Sequence, residues 1–181
     1  MKKLLVCAIL TAFLLTGCQN AIKEGTGQLK EGKYEEAVST FKKAADEKKD
    51  TAEAYRGLGM AYYEQQDYQS AKDAFLQVID NGGESTPVLY NLIGVCSIHL
   101  EDYQGALDAF SKGIHLTEKN GGRGTKEQDY ADTVREMKFN EIVCYEKLLD
   151  WENAKKKAVE YVGDYPKDKD AQKEAVFLNT R

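Results

Sequence analysis

Residues 55–75 read YRGLGMAYYEQQDYQSAKDAF, and their spacing decides the fold. Gly59, Tyr68, Ala71 and Phe75 each have a counterpart 34 residues earlier, at Gly25, Tyr34, Ala37 and Phe41. A third copy follows at an offset of 35, with Gly94, Tyr103, Ala106 and Phe110. A fixed period of this length marks a repeat architecture, in which each unit buries its apolar face only by stacking on its neighbours. Glycine costs ~1 kcal/mol inside a helix, so its return at one register points to close helix packing. Alanine at 37, 71 and 106 does the same from the second helix, and the phenylalanines fill the space between repeats.

These residues resemble the tetratricopeptide repeat (TPR), a helix–turn–helix unit of about 34 residues. The second copy adds Tyr55, Leu58 and Tyr62, and the third adds Tyr90 and Ile93. A weaker fourth copy carries Tyr145, Trp151, Ala154, Ala158, Tyr161 and Pro166, with Ile142 where the others have glycine. The resemblance implies an all-α fold, a right-handed solenoid of about four repeats with a C-terminal capping helix. The repeats are expected at about 18–51, 52–85, 87–120 and 135–168, and the cap at 169–179, within a domain spanning 21–179.

Helices are expected at about 20–31, 34–47, 53–65, 68–80, 88–100 and 103–116. Asn81-Gly82-Gly83 reads as a helix stop, and Thr86-Pro87 as an N-cap with a first-turn proline. Trp151 lies 48 residues after Tyr103, so 14 residues are inserted before the fourth copy. The insertion holds Asn120-Gly121-Gly122-Arg123-Gly124, a connector by composition that lacks P-loop spacing. Thr125 and Gln128 resemble a capping box, which opens a long helix at about 126–149.

The front of the chain belongs to a different class of segment. Lys2 and Lys3 precede an apolar run from Leu4 to Leu15, too short to span a membrane and suited to a signal-peptide core. It closes at Leu15-Thr16-Gly17-Cys18, which resembles the lipobox of bacterial lipoproteins. That resemblance implies removal of residues 1–17, lipidation of Cys18 by a diacylglyceryl group with or without a further N-acyl chain, and a tether of residues 18–20. The expected place is the extracytoplasmic side of the cell membrane or the outer membrane, held by lipid. Gln19 is not the aspartate that this family uses for inner-membrane retention.

Without Lys2 and Lys3 the chain has 23 basic residues against 30 acidic, a net charge of −7. That balance argues against nucleic acid and against electrostatic binding to anionic lipid. Cys96 and Cys144 occupy equivalent sites of different repeats, too far apart to pair, and read as buried free thiols. The only histidines, His99 and His115, lack ligand-spaced neighbours, and no base–nucleophile pair stands out. The expectation is a protein that is not an enzyme and that uses no metal or cofactor beyond the lipid.

In TPR proteins the first helix of each pair lines a concave groove. The resemblance places Arg56, Met60 and Tyr63 there, then Asn91, Val95, Ile98 and His99, then Phe139 and Val143. This mixed apolar and aromatic set suits a protein or peptide partner. The positions of a carboxylate clamp hold Ile22, Thr26, Gly57, Val88 and Leu92, so that chemistry is absent. The leading expectation is a membrane-tethered adaptor of the cell envelope. The alternative is a self-associating structural subunit of an envelope assembly such as pilus, secretion or outer-membrane machinery.

Overall fold

A computed structural model describes residues 21–48, 50–120 and 130–181, with only the backbone of 118–120. All regular structure among these residues is helical. The first helix, α1, covers 21–30; α2 is Tyr34–Asp46, α3 Thr51–Glu64 and α4 Tyr68–Asp80. Next come α5 Pro87–His99, α6 Tyr103–Asn120, α7 Ala131–Lys147, α8 Trp151–Asp164 and α9 Lys169–Leu178. The chain forms two compact units, one up to Glu84 and one from Ser85.

In the first unit α2 packs on α3 and α3 on α4. Ala37, Phe41, Leu58, Ala61 and Ala74 form one buried cluster, flanked by Ile22, Leu29 and Tyr55. The glycines explain the approach. A Cβ on Gly25 would stand 2.7 Å from the Phe41 ring, and one on Gly59 would stand 2.5 Å from Phe75. Gly57 would strike Phe41 as well, so this ring lies between its own repeat and the next. Gly57 was not legible as a packing residue from the period, because the third copy has Leu92 there.

In the second unit α5 packs on α6, α7 on α6 and α8, and α9 on α8. Phe110 covers Gly94 as Phe75 covers Gly59. Ala106, Leu107, Phe110, Met137 and Cys144 form one cluster; Ile142, Ala154, Ala158, Tyr161, Ala171 and Leu178 form the other. The last helix thus buries Ala171 and Leu178 against the fourth pair, as a terminal cap must.

The turn inside each pair has one design. Gly32, Gln66, Glu101 and Leu149 all take left-handed backbone, with φ of 73°, 62°, 59° and 59°. In the second pair the Gln66 N–H donates to the Tyr63 carbonyl at 2.9 Å and the Asp67 N–H to Tyr62 at 3.0 Å, which satisfies the carbonyls at the helix end. Asp67, Asp102 and Asp150 then cap the second helix by accepting from the N–H groups of Ser70, Gly105 and Asn153. Lys33 in the first pair gives no such cap. Gly82 at φ 75° ends α4 in the same motif, and Thr86 caps α5 ahead of Pro87.

Two helices differ in extent from expectation. Helix α6 is described to Asn120, four residues beyond 116. Helix α7 starts at Ala131 and ends at Lys147, inside the expected 126–149. Tyr130 leaves helical dihedrals at φ −110° and ψ 3°, and left-handed Leu149 forces the stop. The capping-box pair Thr125 and Gln128, the glycine loop at 121–124, Cys18 and the signal segment lie outside the described residues.

Candidate functional site

Arg56, Met60 and Tyr63 recur on successive turns of α3, so they share one face of that helix. All three are half-buried. The Arg56 Nε donates to Glu53 at 3.4 Å, and the Tyr63 ring meets Tyr68 edge-on at 5.7 Å. These residues belong to the first unit.

The remaining candidates belong to the second unit. Val95 and Ile98 of α5 pack partly against the Phe110 and Met137 cluster, and His99 is exposed. Asn91 is only 8% exposed and donates from Nδ2 to Glu136 Oε2 of α7 at 3.0 Å. Its Oδ1 is buried without a hydrogen-bond partner. Phe139, one turn beyond Glu136, sets its ring edge-on to Tyr161 at 5.6 Å. Val143 is half-buried on the same helix. The structure therefore links Asn91 to α7 through Glu136 and seats Phe139 on α8.

Beside Phe139 lies an open cavity of about 550 Å³, lined also by Asp132, Arg135, Glu136, Tyr161, Asp168 and Asp170. Arg135 donates to Asp168 Oδ2 at 2.7 Å and to the Tyr161 hydroxyl at 3.1 Å. The Tyr161 hydroxyl in turn donates to Asp168 at 3.0 Å. Arg135 first, then the Ala171 N–H and the Tyr161 hydroxyl, hold the Asp168 carboxyl down at about 2. Burial pushes the Tyr161 hydroxyl up. Sequence reading missed this network because its members lie 26 and 33 residues apart. Asp168 is also the N-cap of α9, accepting from the Ala171 N–H at 3.2 Å.

Two further charged features mark the fourth pair. Glu141 is buried and accepts from Lys157 Nζ at 2.8 Å. Burial and the Glu174 carboxylate push Glu146 up to about 7. Cys96 and Cys144 are buried and form no disulfide, and burial pushes the Cys144 thiol up to about 12, which leaves it unreactive. Among the described residues no group of three His, Cys, Asp or Glu could hold a metal ion. No described helix is long and apolar enough to cross a membrane.

A tetratricopeptide repeat profile matches residues 22–86 and 58–120, more than half of the chain. The chain belongs to the tetratricopeptide repeat family. Members of this family mediate protein–protein interactions, and the fold class is all-α of the TPR type, with a further helix after the last pair. The crystal structure of YrrB, described as a TPR protein with an unusual peptide-binding site, is similar at 21% identity and a TM-score of 0.70. That alignment covers 88% of this chain and 75% of YrrB. MamA from Desulfovibrio magneticus RS-1 is similar at 18% identity and a TM-score of 0.72, covering 91% of this chain and 85% of MamA. PilF of Pseudomonas aeruginosa follows at 14% identity and a TM-score of 0.62, covering 91% of this chain and 68% of PilF. At these identities the likeness is one of fold. No curated protein sequence matches the chain.

Proposed function

We propose that the protein is a membrane-anchored TPR adaptor that holds another protein in the bacterial cell envelope. The observation that carries the reading is the set of apolar side chains left partly exposed on first helices: Met60 and Tyr63 in one unit, Val95, Ile98, Phe139 and Val143 in the other. Partly exposed apolar groups gathered on a helix face favour a peptide or helix as ligand. The YrrB likeness adds a precedent for peptide binding on this fold.

The anchor is the finer part of the proposal. Leu15-Thr16-Gly17-Cys18 closes a short apolar core, and a thioether-linked diacylglyceryl on Cys18 supplies two chains. Each buried methylene contributes ~0.8 kcal/mol, so two or three chains give firm attachment. The resulting location is the extracytoplasmic face of the cell membrane or outer membrane. Metabolic labelling with radioactive palmitate tests it: the wild type takes up label and Cys18→Ser does not. A processed wild-type protein without label overturns the anchor.

Partner capture tests the adaptor role. Tyr63→Ala weakens retention of the native partner by ~1 kcal/mol or more, while the loss of its edge contact with Tyr68 costs ~1 kcal/mol of stability. Lost stability with unchanged capture refutes the role of this face. Self-association is the second reading, favoured by Val176 and Phe177 of α9, which stay 68% and 44% exposed on the terminal helix. Sedimentation at rising concentration separates the two, since an adaptor stays monomeric.

A further inference from the structure

The two ends of the last helix are held differently. At its start, Asp168 caps α9 and accepts from Arg135 at 2.7 Å and from the Tyr161 hydroxyl at 3.0 Å. Ala171 is buried just beyond. Past Glu174 the grip is thinner. Leu178 is buried in the cluster of Ile142, Ala154 and Ala158, but Val176 and Phe177 stay exposed. Arg181 lies 5.5 Å over the Trp151 ring and 4.8 Å over Phe177, at the exposed end of the chain.

Between these ends stands a pair of carboxyl groups. Glu174, half-buried in the middle of α9, meets Glu146 on the last turn of α7. Glu146 Oε1 is buried and has no hydrogen-bond partner. The same two registers hold Leu29 and Gly57 in the first unit and Ile98 and Asn140 in the second, so the pairing of two acids belongs to the terminal junction. Two carboxylates in one partly buried site repel, and one proton between them turns the repulsion into a hydrogen bond. Lys147 of the same helix favours the charged form of Glu146 but is itself exposed. The other helices packed on α7 add Lys155 and Lys157 of α8, exposed Asp108, Lys112 and His115 of α6, and exposed His99 of α5. Of these, Lys157 is committed to Glu141.

We propose that the proton shared by Glu146 and Glu174 is a latch for the terminal helix. With it, the second half of α9 lies on α7. Without it, that half turns outward about the anchored Asp168 and lifts Leu178 from its cluster. Glu146 sets the sign. Burial and the Glu174 carboxylate push it up to about 7 from an ordinary 4.5. The latched state therefore holds a proton between these values, so the latch is complete below 4.5 and is lost as pH rises through about 7. The opening is local, since helix ends with few buried contacts open at far lower cost than the whole domain. It exposes Ile142 and Ala158 and leaves α5 and α6 in place.

The test is amide hydrogen exchange on the full chain in detergent, read as protection factors so that the intrinsic pH dependence of exchange cancels. From pH 5 to pH 8 the protection of residues 175–178 falls about tenfold or more, while that of residues 93–97 in α5 holds. The emission of Trp151, the single tryptophan, changes over the same range as Arg181 leaves its ring. Glu146→Gln and Glu174→Gln each remove the response and keep α9 protected at pH 8. His99→Gln keeps the response. If Glu146→Gln does not fold, Glu174→Gln decides alone. Protection of α9 that ignores pH, a loss that α5 shares, a response that survives the glutamate variants, or one that vanishes with His99 overturns the proposal. None of these outcomes bears on the adaptor face at Met60 and Tyr63, which belongs to the other unit.

Discussion

The first three helix pairs and the fourth solve one packing problem from opposite sides. In the first three, glycine on the first helix receives phenylalanine from the second: Gly25 with Phe41, Gly59 with Phe75, Gly94 with Phe110. In the fourth the same register holds Ile142 and Ala158, both buried in one cluster. The bulk has moved to the first helix. A phenylalanine can also fill the gap to the next repeat, as Phe41 does at Gly57. The second helix of the fourth pair faces α9 instead, where Ala171 and Leu178 supply the filling. The fourth pair is also more polar. Glu141 and Lys157 stand where the third pair has Ile93 and Ala109, and Glu146 stands where the others have Leu29, Tyr63 and Ile98. A repeat can therefore keep its backbone while its core changes both shape and polarity.

Exchanging the two solutions gives the largest effect. Phe110→Ala should cost ~3–5 kcal/mol, and Gly94→Ile, which drives a side chain into the ring, ~3 kcal/mol or more. The double variant rebuilds the pairing of the fourth repeat and should recover at least ~1 kcal/mol relative to the sum. Denaturant melts check this, and strict additivity would show that the pairs are not interchangeable. The position that all four pairs share is less forgiving of addition. Ala37, Ala71, Ala106 and Ala154 are fully buried, so Ala71→Leu should cost ~1–3 kcal/mol while exposed Gln69→Leu changes little. Equal melts for both would contradict the common register.

The turns permit a smaller comparison. Leu149 holds the left-handed position that Gly32 holds in the first pair, and its side chain is 68% exposed. Leu149→Gly should stabilise by ~1 kcal/mol, since the left-handed penalty outweighs glycine's entropy in the unfolded chain. A destabilised variant would mean that Leu149 is held by contacts.

The last comparison is one of pH. Glu146 titrates in the folded protein at about 7, above its ordinary value of 4.5. The folded state then binds more protons between these values, so the contribution is complete below 4.5 and is lost as pH rises through about 7. Thermal melts at pH 5 and pH 8 should show a decline that Glu146→Gln abolishes. Persistence of the decline in that variant would assign it to another group. Asp168, held at about 2, acts in the opposite sense, losing its contribution only as pH falls below its ordinary 3.8.

The chain's own order determined the repeat, the helix pairs and the stop signals, because these depend on residues close in sequence and on a fixed period. Gly59 with Phe75, Asn81-Gly82-Gly83 and Thr86-Pro87 could all be read that way. The face of α3 that carries Met60 and Tyr63 followed from the same period. What only the tertiary structure decided are the polar partnerships: Glu141 with Lys157, Arg135 with Tyr161 and Asp168, and Asn91 with Glu136, at separations of 16, 26, 33 and 45 residues. A charged residue within a helix pattern reads as solvated, and only packing brings it the partner that makes burial tolerable.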